Sequence, residues 1–130
     1  MRGMLRVLAL AALGLCAAAA QAGTIHPALQ AVLDRARADE PVSVIVHLSQ
    51  QAPVARLDEE LRASRASRLE RHRAIVVALQ DAARAQGPLR RDLEDGRRTG
   101  VVTGYTGYWI ANLIVVQASP AEIAAHSGLQ

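Results

Sequence analysis

The side chains that could carry out catalysis in this chain are few and widely separated. The 130-residue sequence contains four histidines, at positions 26, 47, 72 and 126, and one cysteine, Cys16. A serine hydrolase needs a serine, a histidine that accepts its proton and a carboxylate that orients the histidine ring. No serine here lies in a G-x-S-x-G turn, and no histidine lies in a glycine-rich motif. We therefore expect structural roles for the histidines and predict that the chain is not an enzyme.

Neither a metal site nor a nucleic-acid surface is predicted, and no cofactor is expected. The H-x-x-x-H and H-E-x-x-H spacings that place two metal ligands on one helix face are absent. Asp58, Glu59 and Glu60 could be mistaken for a metal-binding cluster, but consecutive residues of a helix point in different directions. We interpret them as acidic residues in the first turns of a helix, where the helix dipole favours negative charge. The arginines between positions 62 and 73 are interrupted by Glu70, and the chain has too few aromatic side chains to stack on bases.

The first 22 residues predict a secretory signal peptide. Two arginines precede an apolar run, and Ala20-Gln21-Ala22 is the small-x-small pattern of a cleavage site. We expect cleavage between Ala22 and Gly23 and export to the periplasm or the cell exterior. The alternative is a transmembrane anchor, which needs about 20 apolar residues, more than this run supplies. Because Cys16 lies in this predicted signal peptide (the leader), the remaining chain can form no disulfide.

The elements that follow alternate between helical and strand periodicity. Residues 23–40 contain a short predicted helix at positions 27–38. Residues 42–48 are rich in β-branched side chains, and their side chains alternate between two faces, as in a strand. Residues 57–86 have a helical apolar period, which predicts a long helix that Gly87-Pro88 breaks or kinks. The apolar stripe continues through Leu89 and Leu93 to a helix end at Gly96.

Two more strands and a last helix are predicted near the C-terminus. Residues 100–105 form the second predicted strand, Thr106-Gly107 the hairpin turn, and residues 109–118 the third strand. Ser119-Pro120-Ala121-Glu122 is a capping box that begins a helix. The predicted fold class is α+β, in the order strand, helix, strand, strand, helix. A split β-α-β fold would next supply a fourth strand.

The third predicted strand is apolar on both faces. Alternation places Ile114, Val116 and Ala118 on one side and Leu113 and Val115 on the other. A sheet with helices on one side needs only one apolar face, so the second face indicates a covering partner.

Taken together, these segments resemble the propeptide of secreted bacterial subtilisin-like serine proteases, the inhibitor I9 domain. The similar segments are residues 42–48, 85–89, 108–112 and 119–123. The resemblance implies a ferredoxin-like β-α-β-β-α(-β) fold with two helices on one sheet face, while the other face docks on the protease catalytic domain. It also implies that such a chain helps the catalytic domain to fold, inhibits it and is then removed.

The strand register assigns the docking face that this resemblance implies. The uniformly apolar side of the first strand is placed against the helices, which leaves Ser43, Ile45, His47, Ala111, Leu113, Val115 and Gln117 for the partner. A mixed apolar and polar face is typical of a separable interface; the alternative is a half-exposed face without a partner. Trp109 and Asn112 match the aromatic residue and the asparagine of the family's hairpin exit. We expect Trp109 to anchor packing and Asn112 to hydrogen-bond backbone near the turn.

The predicted organisation is a leader at 1–22, a helical lead-in at 23–40 and an inhibitor I9-like domain at 41–130. Measured against that family, residues 41–130 lack the fourth strand, the inhibitory tail and the catalytic domain. We therefore expect a fragment of a protease precursor whose partner is a subtilisin-like catalytic domain, in cis or in trans, with no nucleic acid and no stable membrane anchor. Two alternatives remain: a stand-alone exported inhibitor or chaperone acting in trans, and an unrelated periplasmic interaction module.

Overall fold

A computed structural model describes residues 23–126, so the predicted leader at residues 1–22 lies outside the described part of the chain. The described residues have the predicted α+β architecture. The elements are α1 (Pro27–Leu33), β1 (Val42–His47), α2 (Val54–Ala63), α3 (Arg68–Ala83), α4 (Gln86–Thr99), β2 (Val102–Tyr108), a 3₁₀ helix (Trp109–Ala111), β3 (Leu113–Ala118) and α5 (Pro120–His126).

The three strands form one antiparallel sheet in the order β1-β3-β2. The central strand, β3, alternates strictly in burial: Ile114, Val116 and Ala118 are buried, whereas the residues between them are not. Successive strand side chains point to opposite faces, so the alternation predicted from the sequence is confirmed. Val44 of β1 is buried on the same face as Ile114.

The hydrophobic core lies between this face of the sheet and three helices. Leu33 of α1, Leu93 of α4 and Ile123 of α5 supply its helical side chains. Fully burying an aliphatic side chain of this size contributes about 1.5–3 kcal/mol, so this layer supplies most of the packing energy. The core is entirely aliphatic, in keeping with a chain that contains no phenylalanine.

The continuous helix predicted over residues 57–86 is wrong, because this segment is divided between α2 and α3. Arg65 has a φ of 58°, which ends α2, and Ser67 begins α3 with a complete capping box. The Ser67 N–H donates to Glu70 Oε2 over 2.7 Å and the Glu70 N–H donates to Ser67 Oγ over 3.3 Å. Asp58 then joins α2 to α3, since its carboxylate lies 3.2 Å from Arg71 Nη1.

The break predicted at Gly87-Pro88 is present but lies earlier in the chain. It falls at Arg84 and Ala85, so Pro88 lies in the first turn of α4. The predicted helix end at Gly96 is wrong as well: α4 continues to Thr99, and Gly100, with a φ of 84°, is its cap. Gly96 instead lets the helix approach the sheet, because a Cβ there would lie 2.6 Å from Val102 Cγ2.

The hairpin turn lies later in the chain than predicted. Strand β2 continues through Thr106 and Gly107 to Tyr108, and residues 109–111 form the 3₁₀ helix instead of the start of a strand. Asn112 then adopts a left-handed conformation with φ 41° and ψ 56°. Asparagine tolerates this conformation better than most residues because its short side chain can hydrogen-bond locally.

The two short terminal helices also depart in detail from their predictions. Helix α1 ends at Leu33, earlier than residue 38. At α5, the Glu122 N–H donates to Ser119 Oγ over 3.3 Å, as the capping box predicts. The Ser119 N–H, however, donates to the Val101 carbonyl over 3.0 Å. Ser119 thereby caps α5 and connects it to the start of β2.

Candidate functional site

The face of the sheet opposite the core carries three pairs of directly opposed residues from β1 and β3. Ser43 lies opposite Gln117, Ile45 opposite Val115, and His47 opposite Leu113. Side chains opposed in this way in an antiparallel pair lie about 5 Å apart and contact one another. We call these residues the outer strip, and they are all of the predicted docking residues except Ala111.

Strand β2 extends the outer strip on its other side. Thr106 lies opposite Val115, and Tyr108 lies opposite Leu113. These residues were not predicted to lie on the sheet, because the second strand was expected to end at Tyr105. The alternation of Gly104, Thr106 and Tyr108 was a usable signal, but the glycine at 107 favoured a turn there.

The outer strip is open to solvent at its centre and carries no carboxylate, lysine or arginine. Ile45 is 60% exposed, while Leu113 and Val115 are partly buried by their neighbours. Ser43, His47 and Gln117 are exposed around this apolar centre. Antiparallel sheets with one solvated face normally place polar side chains there. A central apolar pair with polar neighbours is therefore suited to contact with another surface.

One prediction for the hairpin requires correction. Ala111 lies in the 3₁₀ helix, so it is not on a strand and does not belong to the outer strip. Trp109 is 44% exposed and is not part of the core, while the 3₁₀ helix that contains it contacts α3. With Ile110, which is 62% exposed, it forms an apolar corner that directly follows Tyr108.

Asn112 is the centre of a buried hydrogen-bond network. It is 2% exposed, and its Nδ2 donates to the carbonyls of Gln50 and Ala82, the latter over 2.9 Å. Its Oδ1 accepts from Gln86 Nε2 over 3.2 Å, and its own carbonyl accepts from the Leu48 N–H over 3.2 Å. The expectation that Asn112 hydrogen-bonds backbone is confirmed, but those carbonyls are distant in sequence. We call these contacts the Asn112 network.

Gln86 is a member of this network that the sequence analysis missed. It is 4% exposed, and its Nε2 also donates to the Tyr108 carbonyl over 3.2 Å. Because Gln86 begins α4, the network connects that helix to the hairpin, to the end of α3 and to the loop after β1. Its role is to hold the end of the sheet from which Tyr108 and Trp109 project.

The four histidines lie on four different elements of the fold. His26 Nδ1 accepts the Ala28 N–H over 3.2 Å at the start of α1, and His126 Nδ1 lies 3.4 Å from Glu122 Oε1 on α5. His47 belongs to the outer strip, and His72 is exposed on α3. Within residues 23–126, no three histidine, cysteine or acidic side chains are grouped so that they could hold a metal ion.

A cleft of about 450 Å³ lies beside the free edge of β1. Among the described strands, β1 pairs only with β3, so its other edge is not covered by a strand. Apolar side chains from β1, α1, α4 and α5 line the interior of the cleft: Val44, Val46, Leu29, Leu89, Leu93 and Ile123. No site was predicted here, because the cleft depends on the relative positions of four elements.

Comparisons with known proteins do not place the chain in a family: no family model, no curated protein and no solved structure matches it. None of the helices between residues 23 and 126 has the length and apolar character required to cross a membrane.

Proposed function

We propose that this chain is the N-terminal propeptide region of an exported subtilisin-like serine protease. In this role it acts as an intramolecular folding chaperone and as a temporary inhibitor of the catalytic domain. On this proposal the fold is ferredoxin-like. The sheet order β1-β3-β2, in which both neighbours are antiparallel to β3, supports that assignment, because a split β-α-β arrangement places the third strand between the first two.

The observation that carries the proposal is the uncovered apolar pair at the centre of the outer strip. Ile45 and Val115 face each other on a sheet whose opposite face is already filled by the core. Val115 is partly buried by its neighbours, but Ile45 is 60% exposed, and neither belongs to the core. Covering them with a partner would remove apolar surface from water, which contributes roughly 25 cal/mol per Å².

The composition of the outer strip also suits an interface that later separates. Ser43, Gln117 and His47 surround the apolar centre and can remain solvated when no partner is present. A mixed surface of this kind is typical of non-obligate contacts. The predicted leader at residues 1–22 would bring the domain to the compartment in which an exported protease folds, the periplasm or the cell exterior.

A refolding assay tests the proposal. The denatured catalytic domain of a bacterial subtilisin-like protease is refolded with and without the purified chain, and cleavage of a chromogenic peptide is followed. We expect faster recovery of activity in the presence of the chain, whereas inhibition of the folded catalytic domain should be weak because residues 41–130 lack the inhibitory tail.

The matched variants are Ile45→Glu with Val115→Glu, and Val77→Glu as the control. Val77 on α3 is 54% exposed, close to the 60% of Ile45, but it does not lie on the sheet. The double variant should lose this acceleration of refolding, and the control should keep it. Unchanged recovery with both wild type and control at saturating concentration would contradict the proposal, as would equal acceleration by the double variant.

A further inference from the structure

His26 satisfies the first two backbone donors of α1 that need a partner. Its ring Nδ1 accepts the Ala28 N–H over 3.2 Å, and its carbonyl accepts the Leu29 N–H over 2.9 Å. Pro27, at the first helical position, has no N–H to satisfy. The usual residues at this position are serine, threonine, aspartate and asparagine. A histidine can replace them only while Nδ1 carries no proton.

Protonation removes this cap for two separate reasons. Both ring nitrogens of a protonated histidine are donors, so Nδ1 can no longer accept the Ala28 N–H. The cation would also lie at the positive end of the helix dipole, where positive charge is unfavourable. The first turn of α1 contains no acidic residue to offset that charge.

Helix α1 has few other local interactions that could compensate. It has seven residues, and a helix of that length is not stable alone in water. Its attachment depends on the cap and on the packing of Leu29 and Leu33 against the core. At the C-terminal end of the helix, Asp34 Oδ1 accepts a hydrogen bond from Gln30 Nε2 over 2.8 Å.

The neighbours of His26 across the cleft add to the effect of acid. The titratable groups that line the cleft with His26 are His47 of β1 and Glu122 and His126 of α5, while α4 contributes only Leu89 and Leu93. Glu122 already faces His126, with Oε1 and Nδ1 3.4 Å apart. Protonation of all three histidines would therefore place three positive charges around an apolar cleft that contains one carboxylate.

We propose that α1 is an acid-sensitive latch: protonation of His26 uncaps the helix and releases it from the core, which opens the cleft beside β1. The latch operates whatever docks on the outer strip. Histidine is the side chain whose charge normally changes between about pH 5 and 8, and this sets the pH range of the test.

Amide hydrogen exchange of the full chain tests the latch. We expect protection of the amides of residues 28–33, corrected for intrinsic exchange rates, to fall roughly fivefold between about pH 7.5 and about pH 5, the effect of losing an N-cap over the range of histidine titration. The first turn of α3 is an internal reference, because the Ser67 cap does not titrate in this range.

Three variants distinguish the effect of the His26 cap from the effect of the surrounding charges. His26→Asn keeps an acceptor that does not titrate, so α1 should remain protected at both pH values. His26→Ala should show the roughly fivefold lower protection at both pH values. His47→Gln with His126→Gln retains the cap and should still lose protection in acid. The latch is excluded if His26→Asn loses protection like the wild type, or if the wild type shows no acid-dependent change in α1.

Discussion

Gln86 Nε2 donates a hydrogen bond to Asn112 Oδ1 over 3.2 Å, and both side chains are almost completely buried. The bond connects the start of α4 to the left-handed residue that closes the hairpin. A buried amide pair is stabilising only when its other groups also find partners. Asn112 Nδ2 meets this condition by donating to the carbonyls of Gln50 and Ala82.

Asn112→Ala should be among the most destabilising single substitutions in the chain. It removes the side-chain donor to the buried Ala82 carbonyl and to the part-buried Gln50 carbonyl, where an unsatisfied buried group costs about 1–3 kcal/mol, and it places alanine in a left-handed conformation. Urea unfolding followed by circular dichroism should show a loss of about 3 kcal/mol or more. Gln30→Ala, which removes an exposed hydrogen bond to Asp34, is the control and should change stability by less than about 0.5 kcal/mol. Equal effects of the two substitutions would contradict the role of the network.

Gly96→Ala should destabilise the fold although alanine favours helices. The gain in helix propensity is about 1 kcal/mol, but the new Cβ would lie 2.6 Å from Val102 Cγ2, and overpacking costs about 1–3 kcal/mol. Gly87→Ala is the control, since nothing lies within 4 Å of its Cβ position, and it should be neutral or stabilising.

The Gly96 prediction has a second, independent check. In a Val102→Ala background the 2.6 Å contact is removed and only the 3.3 Å contact with the Cβ of residue 102 remains, so Gly96→Ala should there cost less than it does in the wild type. A double-mutant cycle measures this difference as a coupling energy of about 0.5–3 kcal/mol. A coupling energy near zero would show that the two side chains do not compete for the same space.

Gly107→Ala should act through Gln86. A Cβ at position 107 would lie 2.7 Å from Gln86 Oε1, so the Gln86 side chain must move away from Asn112. We expect a loss of about 1–3 kcal/mol in urea unfolding, the cost of leaving a buried group unsatisfied. The same substitution should have a much smaller effect in a Gln86→Ala background, and an unchanged effect there would contradict this mechanism.

The two faces of the sheet should differ sharply in their tolerance of the same substitution. Ile114 is 0% exposed in the core and Ile45 is 60% exposed in the outer strip. Ile114→Ala should cost about 2–5 kcal/mol because it leaves a cavity, whereas Ile45→Ala should cost less than about 1 kcal/mol. Both are measured by thermal unfolding of the isolated chain. A cost for Ile45→Ala as large as that for Ile114→Ala would mean that the outer strip is covered.

Acid should weaken α3 through its capping box. The Ser67 side chain, followed by the Ser67 backbone N–H, lowers the pKa of Glu70. A carboxyl group whose pKa is lower in the folded state stabilises the fold above its unfolded pKa, about 4.3 for glutamate, and loses that contribution as the pH falls through the folded value. Unfolding free energy should therefore decline below about pH 4.3, and less so in Ser67→Ala or Glu70→Gln. An identical acid dependence in these variants would contradict the assignment.

The apolar faces of the sheet could be predicted because they depend on covalent geometry alone. Successive side chains of a strand point to opposite sides, so the alternation in residues 113–118 determined which of them lie in the core. The α+β class followed from the change between a period of two residues and a helical period. For the same reason the residues of the outer strip on β1 and β3 could all be predicted from the sequence.

The hairpin and the helix breaks depended on contacts between residues far apart in the chain. Asn112 adopts a left-handed conformation in a network with Gln50, Ala82 and Gln86, and no local pattern shows those partners. Because the turn lies at residues 109–112, Ala111 is not on the sheet and β2 includes Thr106 and Gly107. Gly96 likewise resembled a helix end, and its contact with Val102 exists only once α4 lies against the sheet. Local sequence determined which residues are apolar and on which face they lie, whereas tertiary hydrogen bonding and close packing decided where each element ends.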